Sequence, residues 1–154
     1  MLRAVTPSDF PMYADIMAGP AGRFMGGPYA RDEAWWDFAQ LASGWLLHGH
    51  GGWAIERAAD ARHLGFVLLG LEPGDLEPEL GFMLAPDAAG QGFAREAAEA
   101  VKAYALNVLR LPSLVSYVHP ENHRSIALAT RLGGRLDGTL TYGDDVPTSV
   151  YRYW

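Results

Sequence analysis

Apolar and polar positions along the chain change period several times, and each change marks an element. Leu2–Val5 can open the chain as a short strand. Thr6 or Ser8 can cap a helix over Asp9–Met17, with Pro7 or Pro11 near its start, where a missing N–H is tolerated. Gly19-Pro20-Ala21-Gly22 breaks that helix. Trp35, Phe38, Leu41, Ala42 and Trp45 recur at three- and four-residue spacing and predict a second helix over Asp32–Leu47. Strand-like runs at Gly52–Glu56 and His63–Leu71 follow, then a hairpin loop at Glu72–Glu77 and a strand at Pro78–Leu84. Gln91–Leu109 carries an apolar stripe of Ala94, Ala97, Ala98, Val101, Ala105 and Val108, with Arg95, Glu96, Glu99 and Lys102 toward solvent. Ser113–Val118 is β-rich, Asn122–Leu132 is helical and closed by Gly133-Gly134, and two strands, Arg135–Tyr142 and Thr148–Tyr153, flank a turn at Gly143-Asp144-Asp145.

The resulting order, β-α-α-β-β-β-α-β-α-β-β, predicts an α/β protein with a mixed sheet and helices on both faces. A right-handed crossover should join the Pro78–Leu84 and Ser113–Val118 strands in parallel, with the long helix packed across them. No repeat, linker or low-complexity tract interrupts the 154 residues, a length that suits one domain spanning 1–154.

Composition narrows the function. A formal charge of −6 argues against a non-specific nucleic-acid binder, which needs a basic face. The absence of cysteine removes disulfides, thiolate metal sites and any covalent route through a cysteine nucleophile. Without a signal-like N-terminus or a long apolar run, the expectation is a cytoplasmic protein with no membrane partner.

The most informative segment is Glu79 to Ala97. An alternating apolar strand reaches a turn holding Gly90 and Gly92, and an alanine-rich helical pattern starts at once. The first N–H groups of a helix have no carbonyl partner, so a glycine turn leading into a helix is an anion site. A dinucleotide fold fits poorly, because Arg95 stands where Gly or Ala should pack and no acidic residue follows about 20 positions on. A nucleotide P-loop fails for want of Gly-Lys-Ser or Gly-Lys-Thr.

Gly90, Gly92, Phe93, Ala94, Glu96 and Ala97 resemble the acyl-CoA motif of the GCN5-related N-acetyltransferases (GNAT), especially the ribosomal-protein N-terminal acetyltransferase-like branch. Asp87 departs from the usual Gln or Arg of that motif. Pro120-Glu121-Asn122-His123-Arg124-Ser125 with Leu132-Gly133 resembles the family's next element, and Gly52–Glu56 with Gly65-Phe66 its preceding strand pair. The resemblance covers roughly residues 30–140. It implies an acyl-CoA N-acyltransferase fold, a mixed and mostly antiparallel sheet splayed at the motif strands. It also implies an enzyme that moves acetyl from acetyl-CoA to a primary amine, a protein N-terminus or a small molecule, by direct attack in a ternary complex. Backbone groups of Phe82, Met83 and Leu84 would bond the pantetheine arm, Met83 N–H serving as the oxyanion donor. Gln91, Gly92, Phe93 and Ala94, together with Gly90, would cradle the diphosphate through main-chain N–H groups. Arg95 has two readings, a contact to the 3′-phosphate or a solvated surface charge.

Acid–base roles also rest on the resemblance. Glu79 is either the base, acting through water, or a solvated carboxylate at a hairpin end; Glu56 is a weaker candidate. Ala129 occupies the position of the usual tyrosine acid, which leaves Ser125 as acid or as a helix-start residue. Asn122 contacts the coenzyme arm or caps its helix, and Tyr117 can reach the cleft. Trp35, Trp36, Phe24, Met25 and Trp45 form core or the acceptor wall, and Asp32, Glu33 and Asp37 can attract a cationic amine. The His48/His50 and His119/His123 pairs lack further ligands, so no metal is expected. A CoA-binding module without turnover is the alternative, and a monomer or homodimer fits either reading.

Overall fold

A computed structural model of the chain describes residues 1–142 and 146–154, with the side chains of residues 142 and 146 outside that description. The expected turn at Gly143-Asp144-Asp145 lies outside the described residues. Seven strands and four α-helices follow the predicted order: β1 (Leu2–Ala4), α1 (Phe10–Ala18), α2 (Arg31–Leu47), β2 (Gly52–Glu56), β3 (His63–Gly70), β4 (Glu79–Leu84), α3 (Phe93–Asn107), β5 (Val115–Val118), α4 (His123–Arg131), β6 (Arg135–Tyr142) and β7 (Val146–Arg152). One sheet holds all seven in the order β1-β2-β3-β4-β5-β7-β6. Every pairing is antiparallel except β4 with β5.

The sheet has helices on both faces because its buried strands are apolar on both. On one face Tyr13, Met17, Phe38 and Leu41 of α1 and α2 bury Phe66 and Met83. On the other, Ala97, Ala98, Val101 and Ala105 of α3 cover Leu64, Val67, Leu69 and Leu80, and Leu128 and Leu132 join that cluster. Small side chains on α3 let the helix lie close to the strands. Val108, expected in that stripe, is exposed at the C-cap of α3. Lys102, expected to point to solvent, instead bends back to donate to the Leu132 carbonyl beyond α4, closing one of that helix's open acceptors.

The start of α1 is tied to β1 by charge. Buried Asp9 takes both terminal nitrogens of Arg3 at 2.7 Å and the Thr6 N–H at 2.7 Å. Burial alone would push its pKa up, but Arg3 and the Thr6 bonds more than offset this and hold it at about 2. The folded pKa lies below the ordinary value, so this stabilisation is present above pH 3.8 and is lost as pH falls through about 2. Asp9→Asn should therefore cost about 2 kcal/mol at pH 7, with the gap from wild type closing near pH 2 in urea melts.

Candidate active site

The sheet opens between β4 and β5. Val115 N–H donates to the Pro78 carbonyl at 3.1 Å, and Glu79 opposite Val115 is the single registered pair. Beyond it β4 stays fully paired to β3, and β5 to β7, yet not to one another. Successive residues of a strand direct their main-chain groups to alternate neighbours. Pro78 faces β5, while Ala85 N–H donates to Leu64 O at 2.9 Å on the β3 side. Phe82 and Leu84 consequently turn their N–H and C=O groups into the split. Met83 turns its own toward β3, opposite Phe66, which corrects the expectation that its N–H faces the reacting carbonyl.

At the far end of β4 the chain makes a short turn, Pro86–Ala88, and enters α3 through two glycines in left-handed conformation, Gly90 at φ +77° and Gly92 at φ +89°. A Cβ on either would meet nothing within 4 Å beyond its chain neighbours, so both face open space. The first helical bond is Glu96 N–H to Gly92 O at 3.1 Å. Among the described residues, the N–H groups of Gly90, Gln91, Gly92, Phe93, Ala94 and Arg95 have no acceptor within the chain. This cluster of donors at the positive end of a 15-residue helix favours a bound anion.

Side chains around the turn depart from a bare resemblance. Asp87, in the place of a basic residue, pairs with Arg62 from the β2–β3 loop. A guanidinium thus reaches the turn from another element. Gln91 Nε2 braces the turn on the Asp87 carbonyl at 2.8 Å. Arg95 is engaged by Glu99 one helical turn on, at 2.8 Å.

Asn122 caps α4, accepting the Ser125 N–H at 3.2 Å. Its Nδ2 and the Ser125 hydroxyl carry no hydrogen bond among the described residues, so the cap leaves both able to meet a ligand. Ala129 is buried against Val118 and Tyr151, with no room for the tyrosine common in the resembled family.

Glu79 stands at the apex of the split. Its side chain lies on the α1–α2 face, in the wall of a cleft of ≈ 570 Å³ also lined by Gln40, Ser43, Leu68, Glu72 and Asp75. It is not a solvated hairpin carboxylate; that description suits Glu77 no better, since Glu77 is held at 2.6 Å by both nitrogens of Arg152. Burial raises the Glu79 pKa to about 8; Tyr117 N–H, at 3.4 Å, pulls it down, and Asp75 and Glu72 push it up. Burial also raises Glu72, with Asp37 and Asp75 adding to it. Asp37 is raised by burial and held by the Tyr13 hydroxyl. Among the described residues, Glu72, Asp75 and Glu79 of this cleft form no ion pair with a cation. Glu56, the weaker base candidate, lies two strands away, paired to Arg3 at 2.6 Å.

Trp45 donates to Gly52 O at 2.9 Å and packs on Trp53, holding α2 to β2. Met25 joins the core beneath α1 and α2. Phe24, before α2, meets His119 just past β5 at a tilt, with ring centroids 5.4 Å apart. Trp36 remains 70% exposed.

A family model for the acetyltransferase (GNAT) domain matches residues 1–135. The chain belongs to the GNAT acetyltransferase family. An acetyltransferase from Agrobacterium tumefaciens str. C58 is 38% identical to it, with a TM-score of 0.92 over 99% of this chain and 89% of that one. Two more distant structures share the fold. A spermidine N-acetyltransferase from Vibrio cholerae in complex with CoA and spermine has 21% identity and a TM-score of 0.71, over 99% and 92% of the two chains. A ribosomal L7/L12 alpha-N-protein acetyltransferase in complex with coenzyme A has 18% identity and a TM-score of 0.79, over 98% and 91%.

Several residues that shape this acetyltransferase's site escaped sequence reasoning. Arg62 sits in a polar loop and carries no local signal of its partner 25 residues on. Ser116 in β5 and Tyr153 just past β7 look ordinary in the sequence, yet their hydroxyls meet at 2.8 Å beside the split. Tyr13 is buried in the core, and its hydroxyl reaches Asp37. No helix among the described residues is long and apolar enough to cross a membrane.

Proposed function

We propose that this acetyltransferase moves an acetyl group from acetyl-CoA to a primary amine, by direct attack while both substrates are bound. The observation that carries the reading is the run of unpartnered N–H groups at Gly90–Arg95, in line with a split whose inner wall exposes the main chain of Phe82 and Leu84. Diphosphate suits the first and the amides of the pantetheine arm suit the second. The Phe82 or Leu84 N–H, both facing the split, takes the oxyanion role; such a donor is worth about 3 kcal/mol in the transition state.

The amine enters from the acidic cleft, whose carboxylates favour a cationic acceptor. It must lose a proton before it can attack. An ordinary lysine-type ammonium has a pKa near 10.4, so transfer to an unperturbed carboxylate would cost about 8 kcal/mol. With Glu79 at about 8, the uphill step shrinks to about 3 kcal/mol. The amine nitrogen then forms a bond to the thioester carbon, the carbon–sulfur bond breaks, the sulfur leaves with its electron pair, and the extra proton on the new amide nitrogen passes to the thiolate to give free thiol. Ser125 is assigned to support the departing thiolate, which is a good leaving group even unassisted. Release of free thiol, followed with acetyl-CoA and a panel of mono- and polycationic amines and N-terminal peptides, tests the reading. Turnover with at least one cationic amine is expected; no turnover and no calorimetric CoA binding would falsify it.

A further inference from the structure

In a parallel pair, each rung fixes the next. After Val115 N–H to Pro78 O, the following bond from β5 would run from Tyr117 N–H to the Leu80 carbonyl. That bond is replaced at both ends by side chains. The Leu80 carbonyl accepts the Ser116 hydroxyl at 2.5 Å, and the Tyr117 N–H points to Glu79 Oε1 at 3.4 Å. Ser116 is only 2% exposed, so its hydroxyl must be satisfied inside the protein. Since Ser116 donates to Leu80, Tyr153 O–H donates to Ser116 Oγ at 2.8 Å. Tyr153 is itself placed by its N–H on Leu114 O at 3.0 Å.

We propose that Ser116, backed by Tyr153, and Glu79 set where the sheet parts, by capping the two main-chain groups whose mutual bond would close the split one rung further. Two strands with unpaired groups side by side would otherwise zip together, because an unmet buried N–H or C=O costs free energy. Ser116 and Tyr153 are thus positioning residues that act through the backbone of Leu80 and Tyr117. The inference rests on reading the split as the place of the CoA arm.

The test is Ser116→Ala, with Tyr153→Phe as a milder second variant that keeps the ring. Removing the Ser116 hydroxyl frees the Leu80 carbonyl for Tyr117 N–H. Calorimetric Kd for CoA should rise about tenfold, the equivalent of losing one well-made hydrogen bond at the arm's end. KM for acetyl-CoA should rise with it, and KM for the amine should stay unchanged. In the free protein, hydrogen exchange at the Tyr117 amide should slow, whereas simple loss of structure would speed it. Tyr153→Phe should move each quantity the same way by a smaller factor, and it decides the matter should Ser116→Ala not fold. Faster Tyr117 exchange, or an unchanged Kd in the folded variant, overturns the inference while wild-type CoA binding keeps the coenzyme reading. Wild-type protein that binds no CoA overturns both.

Discussion

Glu79→Gln is expected to lower kcat by about 10²–10⁴-fold, the range for loss of a general base. KM for acetyl-CoA should change little. In the wild type, activity should rise with pH through an inflection near 8, since the base works only once deprotonated; the variant should lack that limb. Stability should move the other way. The folded pKa of Glu79 lies above its ordinary 4.5, so the folded state holds the proton more tightly. The cost of ionising it in place, on the order of a few kcal/mol, is absent below pH 4.5, grows up to about pH 8 and is complete above that. Glutamine carries no such cost. Tm of the variant should exceed that of wild type at pH 9 and match it at pH 4. A carboxylate with a purely structural role would lower both activity and Tm, and unchanged kcat would remove Glu79 from the chemistry.

Gly92→Val has the second-largest effect. A β-branched residue at φ +89° costs about 1–2 kcal/mol of backbone strain. A Cβ there has no non-neighbouring atom within 4 Å, so folding should survive. It does enter the space in front of the N–H cluster, where the diphosphate is expected, and Kd for CoA should rise about 100-fold, or about 2.7 kcal/mol. Gly138→Val is the control. Gly138 shares the left-handed backbone, at φ +128°, and the open surroundings, but lies in β6 away from the turn. It should lose similar stability and keep its CoA affinity. Equal loss of affinity in both would mean that strain, not occupied space, was measured.

Much of the scaffold could be read from the chain. Periodicity placed every strand and helix in order, with ends displaced by one or two residues where capping was ambiguous, as at Asp9, which precedes α1 within a short turn. Gly90 and Gly92 announced a tight turn before a helix; that both are left-handed, a backbone other residues adopt only under strain, came from the structure. Glu79 was nameable, but not its burial, because a carboxylate's surroundings depend on the loop and helix folded over it. The departure at Asp87 looked like a lost positive charge until Arg62 arrived from a different loop. Met83 was placed on the wrong neighbour because strand alternation has a period but no phase until one hydrogen bond, Val115 to Pro78, supplies it.

Local order of apolar and polar residues, and two glycines in a tight turn, determined the succession of elements and the entry into α3 in this acetyltransferase. Those features arise from interactions within a few residues of one another, so the sequence carries them. Where the sheet parts, what raises Glu79, and which cation stands beside the turn were decided by tertiary contact. Ser116 meets Leu80 across 36 positions, Tyr117 meets Glu79 across 38 and Arg62 meets Asp87 across 25. No local pattern encodes such distances; packing of the strands and loops brings the partners together.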